Sequence, residues 1–204
     1  MSGKIIETFF NTHDFVQEEK VFTKIDFSAI PLTGYSFFDC VFEHCIFIES
    51  IWNDAKFYSC VFNGCNVSLI KVKDCLLQNV TFNECKIVGI EFYKVNKTFF
   101  TITITQCSLL HCNFSDLFMK KISFKGSRLK ECCFKNTQLE GADFTDTDLQ
   151  ETIFRKCNLN KANFKRAKNY SIDIANNTVK KAAFTYPDVM YLLKYFDIII
   201  DYTQ

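Results

Sequence analysis

The sequence predicts an all-β solenoid, a chain wound into stacked four-sided coils and closed at its C-terminal end by a short helix. Three observations carry this. Large apolar residues recur at every fifth position: Phe22, Phe27, Leu32, Phe37, Phe42, Phe47, Trp52, Phe57 and Phe62, and onward to Phe92. A second run with the same step leads from Phe99 through Ile104, Leu109 and Phe114 to Phe164. The position two before each large residue is small or aliphatic, as at Cys40, Cys45, Ala55, Cys60, Cys65, Ala142, Thr147 and Ala162. A fixed internal period marks stacked copies of one unit and outranks local propensity.

A step of five suits neither common template. On a helix, successive large residues would lie about 140° apart and spray around the axis. On a flat strand, an odd step would send them alternately to opposite faces. The step works when the chain turns a corner within each unit, so that each five-residue unit forms one side of a square coil. The large residue and the one two before it then both point inward. Four units close a coil of twenty residues, and coils stack at about the 4.7–4.9 Å spacing of paired strands.

In chain order, residues 1–19, with Phe9, Phe10 and Phe15, are expected to form an N-terminal arm or cap, and residues 20–168 the coils. The register advances by two between Phe92 and Phe99, so a bulge or short loop is expected at 93–98. Residues 169–204 are expected to be the cap. Within it, Thr185 followed by Pro187 and Asp188 reads as a helix start, with Val189, Leu192, Leu193 and Phe196 as an apolar stripe. Ile198, Ile199 and Ile200 read as a short strand. The helix should seal the open end of the shaft, whose last coil would otherwise expose unpaired backbone. Its surplus apolar surface points to a two-fold contact with a second copy, through Val189, Tyr191, Leu192, Leu193, Tyr195, Phe196, Ile198 and Ile200.

Ten of the eleven cysteines occupy the small inward position, Cys133 being the exception. Cys45, Cys65 and Cys85 are expected to stack, as are Cys40 with Cys60 and Cys112 with Cys132. Parallel side-chain vectors suit a disulfide poorly, and no close pair has the spacing of a tetrahedral zinc site. Packing as small hydrophobes is the expected role, so neither a metal nor a cofactor is expected.

Enzymatic chemistry finds no support. The three histidines, His13, His44 and His111, have no signature spacing to a nucleophile, and no phosphate-binding glycine loop occurs. With 6 glycines and 2 prolines there is no flexible linker. No apolar stretch is long enough to span a bilayer, and residues 1–10 lack the pattern of a secretory signal. A cytoplasmic protein is expected.

Units such as Ala142-Asp143-Phe144, Ala162-Asn163-Phe164 and Cys112-Asn113-Phe114 resemble the A(D/N)LXX motif of the pentapeptide-repeat family. The resemblance spans roughly residues 20–168. It implies a right-handed quadrilateral β-helix of about seven coils, near 34 Å long. The tail adds detail: residues 176–184, Pro187-Asp188, Leu192-Leu193 and the 198–200 isoleucines look like the C-terminal cap of the Qnr, MfpA and McbG group. The stretch 37–47 is similar to that group's early coils. Those proteins protect DNA gyrase and topoisomerase IV from quinolones or other topoisomerase poisons. The resemblance implies a homodimeric rod, joined at its caps, that mimics B-DNA and docks where the enzyme holds DNA.

Charge departs from that picture. The chain has 24 Lys and Arg against 23 Asp and Glu. Before Thr98 there are 9 basic and 12 acidic residues, net −3, and after it 15 and 11, net +4. Only the first half offers carboxylates in excess. Asp54 and Asp74 are expected one coil apart, with Asp39, Glu43, Glu49, Glu84 and Glu91 on the other sides. Phe38 and Tyr58 are expected to stack outward as an apolar contact, with Val41 and Val61 round the corner and Ile46, Ile48 and Ile51 extending the patch. Two rival readings stand beside topoisomerase protection. One is a nucleic-acid binder using the basic stretch at 155–168, disfavoured because Glu140, Asp143, Asp146, Asp148 and Glu151 interleave with the basic residues. The other is a scaffold for an unrelated partner.

Overall fold

The computed structural model describes residues 15–196, 198, 199 and 201. Its backbone is an all-β solenoid of about eight turns, one more than the motif count suggests. Most strands are three residues long, as in Ser36–Phe38 and Val41–Glu43, where only the central side chain is buried. Pairing is parallel with an offset of twenty. On the first side Val16 pairs with Ser36, Ser36 with Lys56, and Lys56 with Leu76. The second side runs through Val21, Val41, Val61 and Thr81. The third passes through Asn66 and Lys86, and the fourth through Pro31, Ile51 and Lys71.

Corners make the five-residue step possible. The residue two after each large one adopts a left-handed backbone, as at Asp39 (φ 52), His44 (φ 53), Glu49 (φ 58) and Asp54 (φ 58), one for each corner. This conformation costs an L-residue about 1–2 kcal/mol, less for Asp and Asn. Amide bonds between coils offset the cost: Asp39 N donates to Tyr58 O at 2.9 Å and His44 N to Asn63 O at 2.8 Å.

Inside, stacking by coils becomes stacking of rings. Phe22, Phe42, Phe62 and Phe82 form one column with centroids 4.8, 4.6 and 4.9 Å apart. Phe92, Phe114, Phe134 and Phe154 form another at 4.5, 5.0 and 5.1 Å. Neighbouring columns meet edge to face, as Phe42 and Phe47 do at 75°. Such pairs contribute about 0.5–1.5 kcal/mol beyond the area they bury.

The expected two-residue advance is present: Val80 pairs with Ile102 and Lys86 with Ser108, both offset by twenty-two. The extra residues lie between Asn96 and Thr101, overlapping the end of the expected segment. Asn96 N still bonds Cys75 O in phase, whereas Thr101 N bonds Leu77 O. Phe99, expected to point inward, is instead a corner residue (φ 59), 69% exposed, and Phe100 is buried in its place. A 3₁₀ turn, Phe92–Lys94, precedes this bulge.

The offset also lengthens the thiol ladder, since Cys85 N donates to the Cys107 sulfur at 3.2 Å. All eleven cysteines are free. Burial pushes the Cys75 and Cys157 thiols up from their ordinary range. No cluster of metal-ligating side chains occurs among the described residues.

Coiling continues past 168. Ile153 bridges Ser171 at an offset of eighteen and Asn158 bridges Thr178 at twenty, so one shortened side is followed by a widened one. Asn163 then pairs with Ala183, and the Phe184 ring lies 5.1 Å above Phe164. The closing helix is a 3₁₀ helix, Asp188–Tyr195, preceded by Pro187. The Thr185 hydroxyl does not cap it; that oxygen accepts from Arg166 N at 2.9 Å in the coil below. Ile198 and Ile199 lie outside any strand, and Ile200 and Tyr202 lie outside the described residues.

Candidate partner-binding surface

Because side chains at the large position and two before it fill the shaft, chemistry is left to the corners and to the outward positions of each side. Asp54 and Asp74 occupy successive left-handed positions of the fourth corner, both exposed. Asp74 N bonds Lys94 O, which places the next coil's lysine backbone above the pair. The other carboxylates are dispersed. Asp39 is on the first corner, Glu84 on the second and Glu49 on the third. Glu43 points out from the second side, where Asn63 donates to it at 2.8 Å. Glu91 is held below the usual carboxylate range by hydrogen bonds from Lys94 and then Tyr93. Asp54 and Asp74 thus form a stacked acidic pair, as do Glu19 with Asp39 on the first corner and Glu131 with Glu151 on the third.

Phe38 and Tyr58 stack on the first side with centroids 4.7 Å apart and rings 4° from parallel. Val41 and Val61 pair on the adjoining second side. Ile46 and Ile48 belong to the third side and Ile51 to the fourth, so they do not extend that patch as the sequence suggests. Their proximity in sequence is cancelled by the turn after Glu43 and the next one after Ile48.

The cap divides its apolar residues. Leu192 is buried, and Val189 packs against the same core. Leu193 is half-buried. Tyr191, Tyr195, Phe196 and Ile198 are exposed, Tyr191 with its ring edge-on to Tyr170 and Tyr195 with its hydroxyl bonded to Ser171. Leu192 and Val189 are thus spent on sealing the shaft, and the tyrosines, Phe196 and Ile198 form the outward face.

Sequence reasoning missed a groove of about 320 Å³ between the third corner and the fourth side, lined by Leu69, Lys71, Lys73, Gly89 and Lys94. It also missed Phe118, 74% exposed, beside a cavity of about 200 Å³ lined by Phe100, Ile102 and Met119. The available signal was an aromatic or leucine out of phase with the five-residue step.

This arrangement defines a β-solenoid that presents surface columns. The profile of the pentapeptide repeat region matches residues 35–114, and that of pentapeptide repeats (8 copies) matches 107–146 and 142–168. The chain belongs to the pentapeptide-repeat family. Its structure is similar to a trypsin-treated point variant of QnrB1, described as a plasmid-mediated fluoroquinolone resistance protein, at 18% identity and TM-score 0.55 over 91% of each chain. A second trypsin-treated QnrB1 variant gives 18% identity and TM-score 0.56, over 91% of this chain and 90% of the other. A search of curated sequences gave no significant match. Among the described residues, no helix is long and apolar enough to cross a membrane.

Proposed function

We propose that this protein is a non-catalytic binding rod that docks on DNA gyrase or topoisomerase IV and protects it from quinolones or other topoisomerase poisons. The observation supporting this most is the coil-stacked rod itself, shared over nine-tenths of both chains with a fluoroquinolone resistance protein. The carboxylates of Asp54 and Asp74, one coil apart at about 4.8 Å, compare with one phosphate per 3.4 Å of axis on each DNA strand. DNA mimicry here is local, because Lys73 and Lys94 flank the pair. The stacked Phe38 and Tyr58 rings supply the apolar contact that a protein interface needs at its centre. No cofactor takes part. A second copy joins through the outward face of the cap, Tyr191, Tyr195, Phe196 and Ile198, together with Ile200.

Gyrase supercoiling and drug-stabilised cleavage, measured with and without the purified protein, test this. Cleavage should require more drug in its presence, and Asp54→Lys with Asp74→Lys should reverse the shift while thermal unfolding stays unchanged. Drug sensitivity that ignores the protein would sink the reading.

A further inference from the structure

Winding sorts charges that the linear sequence interleaves. In the C-terminal half, Asp148 and Glu151 fall on the third side and third corner, where Asp148 lies between Arg128 and Lys168, away from the first and second corners. Lys121, Lys161 and Lys181 all occupy the first corner (φ 59, 60 and 59), with Gly141 between the first two. Lys121 and Lys161 are laddered to the next coil, Lys121 N to Glu140 O at 2.9 Å and Lys161 N to Lys180 O at 2.9 Å. On the adjoining second side Lys125 and Lys165 point outward, and Arg166 follows at the second corner.

This edge therefore carries six cations against Asp143, Asp146 and, at its first-side margin, Glu140. All three carboxylates are engaged. Asp146 takes two bonds from Arg166, at 2.6 and 2.8 Å, and Asp143 accepts from the Thr145 amide at 2.9 Å and from its hydroxyl. Lys161 shares Glu140 with Lys120. Lys121, Lys125, Lys165 and Lys181 make no ion pair among the described residues.

We propose that this edge binds the phosphate backbone of duplex DNA, a use independent of the topoisomerase reading. Three coil steps from Lys121 to Lys181 span about 14 Å, which matches about four phosphates along one strand. Between the cations lie Ser123, Gly141, Thr145 and Asn163, the small polar types that accompany Lys and Arg on phosphates. A protein interface would want a buried aromatic anchor, and single-stranded DNA a stacking ring. Between Lys121 and Arg166 the edge has neither among the described residues: Phe118 lies on the first side, and Tyr186, 75% exposed, follows Thr185 at the far end, beyond Arg166.

Fluorescence anisotropy with a labelled duplex of arbitrary sequence tests the proposal. With about four phosphates neutralised, affinity should fall on the order of 100-fold between about 50 and about 200 mM salt. Combining Lys121→Glu, Lys165→Glu and Lys181→Glu should cost about tenfold or more at low salt. Lys71→Glu with Lys73→Glu, on the fourth side of the other half, should bind as the parent does. Salt-independent binding, equal loss in the control variant, or no binding at low salt would overturn it. So would polyglutamate competing as well as unlabelled duplex, which would reassign the edge to an acidic protein.

Discussion

The thiol of Cys65 donates to the carbonyl oxygen of Phe42, one coil below, at 3.2 Å. The ladder between coils uses carbonyls on either side of a large residue and leaves that residue's own carbonyl inside the shaft. Where the turn tightens, the amide three residues on supplies the donor: Ala55 N reaches Trp52 O and Ala142 N reaches Leu139 O, both at 3.0 Å. Where it does not, a side chain of the next coil does so. Cys85 serves Phe62 at 3.2 Å, Thr137 serves Phe114 at 3.1 Å and Thr152 serves Leu129 at 2.8 Å. Asn177 serves Phe154 at 3.0 Å. Cysteine in this column is therefore a donor as well as a small apolar filler.

Removing that donor should matter more than removing volume. Cys65→Ala strands the Phe42 carbonyl and should cost about 1–2 kcal/mol, whereas Cys65→Ser keeps a donor and should cost distinctly less. Urea unfolding of both variants measures the difference. Equal losses would mean the thiol only fills space.

Thiol reactivity should separate one cysteine from ten. Ten are buried, whereas Cys133 is half-exposed with its sulfur 3.8 Å from the Ser115 hydroxyl. Burial raises thiol pKa and blocks attack, and reactivity follows the accessible thiolate. Maleimide should label the native protein once, at Cys133, and the denatured chain at all eleven positions. Intact-mass measurement reads both numbers, and multiple native adducts would contradict the closed shaft.

Most of the fold was legible because one physical constraint repeats. A square shaft filled by Phe42, Phe62 and Phe82 admits no other phase, so the period alone places every outward residue from Phe22 to Phe92. The reading fails where the period breaks. Phe99 keeps the five-residue spacing to Ile104, yet two extra residues turn it outward and Phe100 inward. Beyond Ala167 the motif fades, but Tyr170 and Ile172 continue the fill through a shortened side, an irregular compensation that no fixed step reveals. The candidate surface was less legible. Asp54 and Asp74 share a column because twenty residues separate them, whereas Ile46 and Ile51 are neighbours of Phe38 only until the corners are drawn.

A steric relationship at the second corner gives a test of the left-handed turns. Gly64 (φ +59) lies under the His44 imidazole, and a Cβ there would collide with that ring. Gly64→Ala should therefore destabilise by about 1 kcal/mol from backbone strain, plus the cost of displacing His44. In a His44→Ala background the same substitution should cost only the strain. A double-mutant cycle in thermal unfolding isolates the difference; purely additive losses would show that the ring moves aside freely.

At the far end of the shaft the hydroxyl of Tyr170 is buried without a hydrogen-bond partner among the described residues. Its ring is well used, 6.0 Å from Phe164, 5.6 Å from Phe184 and 5.9 Å from Tyr191. Tyr170→Phe keeps that packing and deletes only the unsatisfied oxygen, so the variant should be more stable by about 1–2 kcal/mol. Burial, followed by the nearby Asp188 charge, pushes the Tyr170 phenol up to about 12. An unfolded tyrosine ionises near pH 10. The unfolded state therefore releases this proton first, so Tyr170's share of the stability is intact below about pH 10 and is lost as pH rises towards 12. Unfolding measured at alkaline pH should show a shallower decline in Tyr170→Phe than in the parent. Parallel declines would mean that this hydroxyl reaches solvent in the native shaft, and that the cap does not seal it.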